Sequence, residues 1–206
     1  MNTTWTQLPD KKTIDTALKS LSENGFNPLF MQTLDEAKEK VLELLPKAAE
    51  VMTMTSVTLD ALGLAKEINE SGKYDAVRPK LLKMDRATQG NEMRKLGSAP
   101  DYAIGSVHAV TQDGHVLIAS RTGSQLPAYV YGAGKVIWVV GAQKIVKDIE
   151  EGKKRIFQHT LPLESERANK AYHMASGSQV DKLLTYYREV NPQRVTLILV
   201  NQPLGF

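Results

Sequence analysis

KVIWVV, residues 135–140, decides the fold. After Lys135, each of Val136, Ile137, Trp138, Val139 and Val140 is β-branched or aromatic, and none is polar. A strand with one wet face would alternate. An unbroken apolar run predicts a strand covered on both faces, the situation of a parallel sheet flanked by helices. Immediately upstream, Leu126, Val130 and Tyr131 predict a short helix with Pro127 in its first turn, stopped by Gly132 and Gly134. Downstream, residues 145–157 and 163–174 read as helices, Ser176-Gly177-Ser178 as a loop, and VTLILV (195–200) as a second buried strand.

Further toward the N-terminus the same alternation continues. Asp113-Gly114, between apolar runs at 102–110 and 115–120, predicts an antiparallel hairpin. Residues 80–96 predict a helix closed by Gly97 and Pro100. Residues 49–55 predict a strand, followed by hydroxyl residues and a helix carrying Leu59, Leu62, Ala65 and Ile68. Thr33 and Glu36 form a T-x-x-E capping box ahead of Ala37, Val41, Leu44 and Leu45, with Pro46 as the stop. Ile14, Ala17, Leu18 and Leu21 predict a first helix ending at Gly25. Strands alternating with helices give the α/β class: a three-layer, Rossmann-like open sheet, mostly parallel, with one antiparallel hairpin. We read residues 1–206 as a single domain whose first 50 residues are largely helical.

The composition excludes several chemistries. With no cysteine, the chain makes no disulfide, offers no thiolate nucleophile and ligates no iron–sulfur cluster through sulfur. The 26 Lys and Arg exceed the 23 Asp and Glu only slightly, and the basic residues are interleaved with acidic ones, as at 147–155. That mixture predicts a solvated helix face and no nucleic-acid partner. Residues 1–12 lack the apolar run of a signal peptide, and no stretch approaches the roughly 20 apolar residues of a spanning helix. No membrane association is expected, and the cytoplasm is the default location.

Three stretches, TMTSVTLDALGL (53–64), residues 101–146 and PQRVTLILVNQPLGF (192–206), together resemble the LUD (lactate-utilisation) domain family. Within the middle stretch the informative residues are Ala103, Ile104, Asp113, Gly114, Leu126, Pro127, Val140, Lys144, Ile145 and Val146. The resemblance spans most of residues 50–206 and is weakest over 1–50. It implies the fold shared by ribose-5-phosphate isomerase, glucosamine-6-phosphate deaminase and coenzyme A transferases. Some family members are encoded with iron–sulfur proteins that oxidise lactate, and this chain is similar to the cluster-free component. The implied partner is such an iron–sulfur protein; separately, the apolar tail 203–206 reads as a contact face toward that partner or toward a second copy of the chain. No set of reacting residues comes with the resemblance.

Strand-to-helix turns supply the candidate ligand-binding residues. Arg121-Thr122-Gly123-Ser124-Gln125 can hold an anion on free backbone N–H groups, with Gly123 allowing close approach and Arg121 a forked contact. Alternatively, Ser124 serves only as a helix cap. Thr53, Thr55, Ser56 and Thr58 offer hydroxyls to the same ligand, or cap the next helix. Ser106 and His108 share one face if their strand is regular, which argues against a Ser–His nucleophile pair because such neighbours point in parallel. His108 alone can carry a proton or rest as a satisfied core histidine, and Asp113 can join it or merely form the turn beside His115.

No metal site is expected, since His108, His115, His159 and His173 lack helical ligand spacing. No cofactor is expected either, because Gly132-Ala133-Gly134 precedes a strand and lacks the nucleotide fingerprint. No glutamate lies between Glu92 and Glu150, so the central segment carries no acyl-glutamyl chemistry. These observations favour a protein that binds a small anionic metabolite, or an accessory protein, in lactate or organic-acid use. The alternatives are an isomerase-like or transferase-like enzyme acting on a sugar phosphate or acyl thioester through His108 and Asp113, and an interaction subunit of an iron–sulfur lactate-oxidising system.

Overall fold

The computed structural model describes residues 3–172 and 177–206. A 3-10 turn, Thr3–Thr6, precedes α1 (Lys11–Glu23), β1 (Asn27–Met31), α2 (Leu34–Leu44), β2 (Glu50–Thr53), α3 (Val57–Ala61), α4 (Leu64–Glu70) and β3 (Asp75–Ala76). Then come α5 (Val77–Leu82), α6 (Gly90–Ser98), β4 (Tyr102–Gly105), β5 (Ala109–Thr111), β6 (Val116–Ser120), a π turn (Ala128–Gly132) and β7 (Lys135–Gly141). The chain closes with a 3-10 turn (Ala142–Lys144), β8 (Ile145–Val146), α7 (Ile149–Arg155), a second π turn (Ile156–Thr160), α8 (Leu161–Tyr172), β9 (Lys182–Tyr186) and β10 (Val195–Val200).

Six strands form a wholly parallel sheet in the order β1-β10-β7-β4-β2-β3, with β7 in the interior as its sequence demands. Residues of β7 point alternately into two cores. Ile137 and Val139 join Val41, Leu59, Leu64 and Ile68 under α2, α3 and α4. Val136, Trp138 and Val140 face the other side, where they meet Ile14, Ala17 and Leu21 of α1. The chain is therefore α/β and Rossmann-like.

That second face is shared between helices and a second sheet, in the order β8-β5-β6-β9. The hairpin at Asp113-Gly114 pairs β5 with β6 antiparallel, as the turn signal predicts. Val110, Val116 and Ile118 pack toward the first sheet, whereas Ala109, Leu117 and Ala119 pack with Ile156 and Trp5 under the long C-terminal helical segment. A hairpin buried on both faces can replace a helix as cover, and this one does.

The structure corrects four expectations about the elements. The run 102–110 is not one strand: β4 stops at Gly105 and β5 starts at Ala109, in the other sheet. Gly105 marks the break because a Cβ there would lie 1.8 Å from the Tyr129 hydroxyl. The helix expected over 145–157 starts only at Ile149, where Asp148 accepts from the Glu151 N–H, since Ile145 and Val146 extend the second sheet beside β5. Residues 80–96 divide into α5 and α6 around Asp85, whose carboxylate takes the Ala87 N–H and the Thr88 hydroxyl. The fourth is β9, a strand where none was expected. The helix expected over 163–174 is seen as far as Tyr172; its last residues and Ser176 lie outside the described residues.

At the base of β10, Arg194 is buried and donates to the carbonyls of Ala128, Tyr129 and Ala133 at 3.2, 3.0 and 3.1 Å, and pairs with Glu189 at 2.8 Å. It ties the first π turn, which carries Tyr129, to the sheet. Among the described residues no helix is long and apolar enough to cross a membrane.

Candidate functional site

The parallel sheet places its cleft by topology. After β2 the chain leaves toward the β3 edge; after β4 it leaves in the opposite direction, through the second sheet toward β7. Connections that diverge from adjacent strands open a crevice beyond their carboxyl ends, where open α/β sheets take their ligands. Here that crevice is a cavity of about 250 Å³. The chain passes between the two sheets four times, and three of those crossings supply cleft residues: Ser106 to His108 between β4 and β5, Arg121, Ser124 and Gln125 between β6 and β7, and Lys144 between β7 and β8. Leu161, Glu164 and Arg167 of α8 and Phe206 of the tail complete the wall.

Lys144 dominates the site. Its side chain is buried, and Nζ donates to the Val107 carbonyl at 3.1 Å, to Ser106 Oγ at 3.2 Å and to Thr58 Oγ1 at 3.5 Å. All three partners are neutral oxygens, and among the described residues no carboxylate pairs with the ammonium. Loss of hydration, aided by the nearby Arg155 guanidinium, pulls its pKa down to about 7. Arg155 is also fully buried: Nη1 donates to the His108 carbonyl at 2.6 Å and to Thr160 Oγ1 at 3.0 Å, while Nε and Nη2 have no hydrogen-bond partner among the described residues. Burial lowers its pKa to about 10.

His108 faces the cleft, but its chemistry is narrow. Its Nδ1 accepts the Ala119 N–H at 3.1 Å, which leaves the proton of the neutral ring on Nε2. Burial first, then the charges of Lys144 and Arg155, push its pKa down to about 3. Near neutral pH it is a fixed hydrogen-bond donor and a poor proton acceptor. Tyr129 floors the cleft; its hydroxyl is held un-ionised by burial. Arg78 donates to Thr55 Oγ1 at the mouth, and Arg167 grips Glu164 with two bonds of 2.7 Å.

The candidates named from sequence separate into two groups. Thr55, Ser56, Ser106, His108, Arg121, Ser124 and Gln125 all line the cleft. Thr53 does not: it is buried on the opposite face of β2, where Asn69 of α4 donates to its hydroxyl at 2.9 Å. Asp113 sits in the hairpin turn beside Thr111 and His115, with its carbonyl receiving the Asn24 amide at 2.9 Å, far from the cleft wall.

The turn at 121–125 works differently from the anion cradle expected of it. The Gly123 N–H donates to Ser120 Oγ at 2.8 Å and the Ser124 N–H to Thr122 Oγ1 at 3.3 Å, so both are satisfied within the turn. Thr122 and Gly123 shape the turn, and Ser124 and Gln125 present side chains to the cleft. Gly123 has φ +82°, the left-handed region. The tail read as a contact face is packed inward: Leu204 is buried, and the Gln143 amide donates to the carbonyls of Leu204 and Gly205 at 3.0 and 3.2 Å.

Sequence reasoning missed Arg78, Lys144, Arg155, Thr160, Glu164 and Arg167 as site residues. Lys144 carried a signal: it is a lone cation in GAQKIV between two apolar strands. Arg155 carried a weaker one, standing beside Ile156 on the buried side of a helix. Among the described residues no three His, Asp or Glu side chains converge as a metal would require; His173 lies outside them.

The comparisons with known proteins agree with this architecture. The chain is similar to a crystal structure of a DUF162 family protein from Deinococcus radiodurans, with a TM-score of 0.58 over 95% of this chain and 100% of that one at 13% identity. At that identity the likeness speaks for the fold alone. No functionally curated protein matches the chain. The LUD domain family matches residues 14–200, which extends the resemblance read from residue 50 onward back through β1 and into α1. By that match the chain belongs to the LUD domain family, a family associated with lactate utilisation.

Proposed function

We propose that the chain binds a small anionic metabolite of organic-acid use in the cleft at the carboxyl ends of β2 and β4. One observation carries this reading: Lys144 is a buried ammonium surrounded by neutral oxygens, with no carboxylate paired to it among the described residues. Removing a cation from water costs several kcal/mol, and an unpaired one is held only where something offsets that cost. An anion entering the cleft supplies the missing charge. Ser56, Ser106, Gln125 and the Nε2–H of His108 then stand ready to orient it.

A thermal-shift series on the purified protein and on Lys144→Met tests the reading, using lactate, sugar phosphates, nucleotides and coenzyme A thioesters. A ligand that binds only the folded state raises Tm by mass action. The expected result is a rise in wild type that Lys144→Met loses, while Thr53→Val, on the opposite face of the strand, retains it. A rise equal in wild type and Lys144→Met would place the ligand elsewhere.

A second reading, turnover, draws on the same lysine. A group with a pKa near 7 is matched to proton transfer at neutral pH, and Lys144 meets that condition where His108 does not. Any enzymatic activity is therefore expected to depend on Lys144 and to survive Asp113→Asn.

A further inference from the structure

Lys144 is not the only buried cation at the site. Arg155 lies directly behind the cleft wall: Nη1 is bonded to the carbonyl of His108 and the hydroxyl of Thr160, both residues of the lining. Its Nε and Nη2 are buried and without hydrogen-bond partners, and no carboxylate pairs with it among the described residues. Each of these two cations lowers the proton affinity of its surroundings; His108 is disfavoured as a cation by both.

The rest of the lining does not neutralise the pair. Among the described residues its side-chain carboxylates are Asp60, which is exposed at the rim, and Glu164, which is closed in a fork with Arg167. With that fork set aside, Arg78, Arg121 and Lys144 stand against Asp60 in the lining itself.

We infer that the cleft is built for a dianion, a phosphate monoester or a dicarboxylate, in preference to a singly charged carboxylate such as lactate. This deepens the anion-binding reading above and rests on it. A monoanion against Lys144 would leave the Arg155 guanidinium buried and uncompensated, whereas a second negative charge in the same cavity matches it. Arg155 acts from behind the wall, through its field and not by contact, so the ligand's total charge matters more than its shape. Polar groups converge there: the Thr58 hydroxyl of α3 donates to Ser106 Oγ, just beyond β4, at 3.3 Å, and the His108 ring enters from the crossing into the second sheet.

Matched ligand pairs that differ by one charge test the inference in the intact protein: methyl phosphate against dimethyl phosphate, and malonate against monomethyl malonate. Binding is measured by titration calorimetry at pH 7.5 and constant ionic strength. A second buried-site charge is expected to tighten binding by about tenfold or more within each pair. Lys144→Met should abolish binding of all four compounds. Arg155→Met, where it folds, should weaken both members of each pair, the dianion more than the monoanion, and so shrink the preference within each pair. Equal affinity within the pairs on wild type would overturn the dianion inference and leave the anion site standing. No binding of any of the four, with no Tm rise in the wider series, would overturn both. The wild-type comparison needs no variant, so a folding failure of Arg155→Met leaves the test intact.

Discussion

Lys144 couples the site to pH in a direction that can be worked out in advance. Its folded pKa, about 7, lies below its ordinary value of 10.5. Below pH 7 both folded and unfolded chains carry the charge, and the folded state bears the full cost of burying it. Between pH 7 and 10.5 the folded chain has released the proton while the unfolded chain still holds it, so stability rises with pH through that window. We expect wild type, measured against Lys144→Met by urea denaturation, to gain about 2–3 kcal/mol between pH 7 and pH 9. The subtraction removes the shared background, including Arg155 and His108, which face the same ammonium. A flat difference would mean that Lys144 stays charged when buried. A bound anion holds the proton on Lys144, so the same window should flatten when ligand saturates the site. Such a residue is hard to read in a sequence: GAQKIV fixes that a lysine follows an apolar strand, but only the crossing into the second sheet buries it.

At the level of elements, the parts legible in sequence were those whose local chemistry leaves no choice. The Thr33 to Glu36 capping box forms as read, with Glu36 N–H to Thr33 Oγ1 at 3.2 Å and the Glu36 carboxylate turned back to the N–H groups of Gln32 and Thr33. The Asp113-Gly114 hairpin and the doubly covered β7 follow equally from their own residues. Elements set by distant partners were not legible. KLLTY in β9 opens on Lys182 after Asp181, carries only two aliphatic residues, and becomes a strand only because β6 offers it an edge. The first π turn is likewise fixed from afar, by Arg194. Arg194→Met would leave Glu189 buried and unpaired and three carbonyls without their donor. The expected cost is about 3–5 kcal/mol by urea denaturation. Because Tyr129 floors the cleft from that turn, any anion-induced Tm rise should fall with it even in the fraction that folds; a variant of unchanged stability would show that water replaces the guanidinium.

Across the whole molecule, the cleft lies at the seam of two sheets, and three of the four passages of chain between them line it. Composition and periodicity gave the parallel sheet and its hairpin, but the hairpin's departure into a second layer depended on Gly105 clearing the Tyr129 hydroxyl, a contact between residues 24 positions apart. The site therefore assembles from crossings that no local pattern announces. Its kinetics should reflect this. The cavity exists only once both sheets have docked and all three crossings are fixed, so a partly assembled chain has nothing for an anion to grip. Interactions absent from the folding transition state act on the rate of unfolding and not on the rate of folding. In stopped-flow experiments a saturating ligand should slow unfolding by the whole of its equilibrium stabilisation and leave refolding unchanged, making the metabolite a brake on the chain's loss of structure and no help in gaining it.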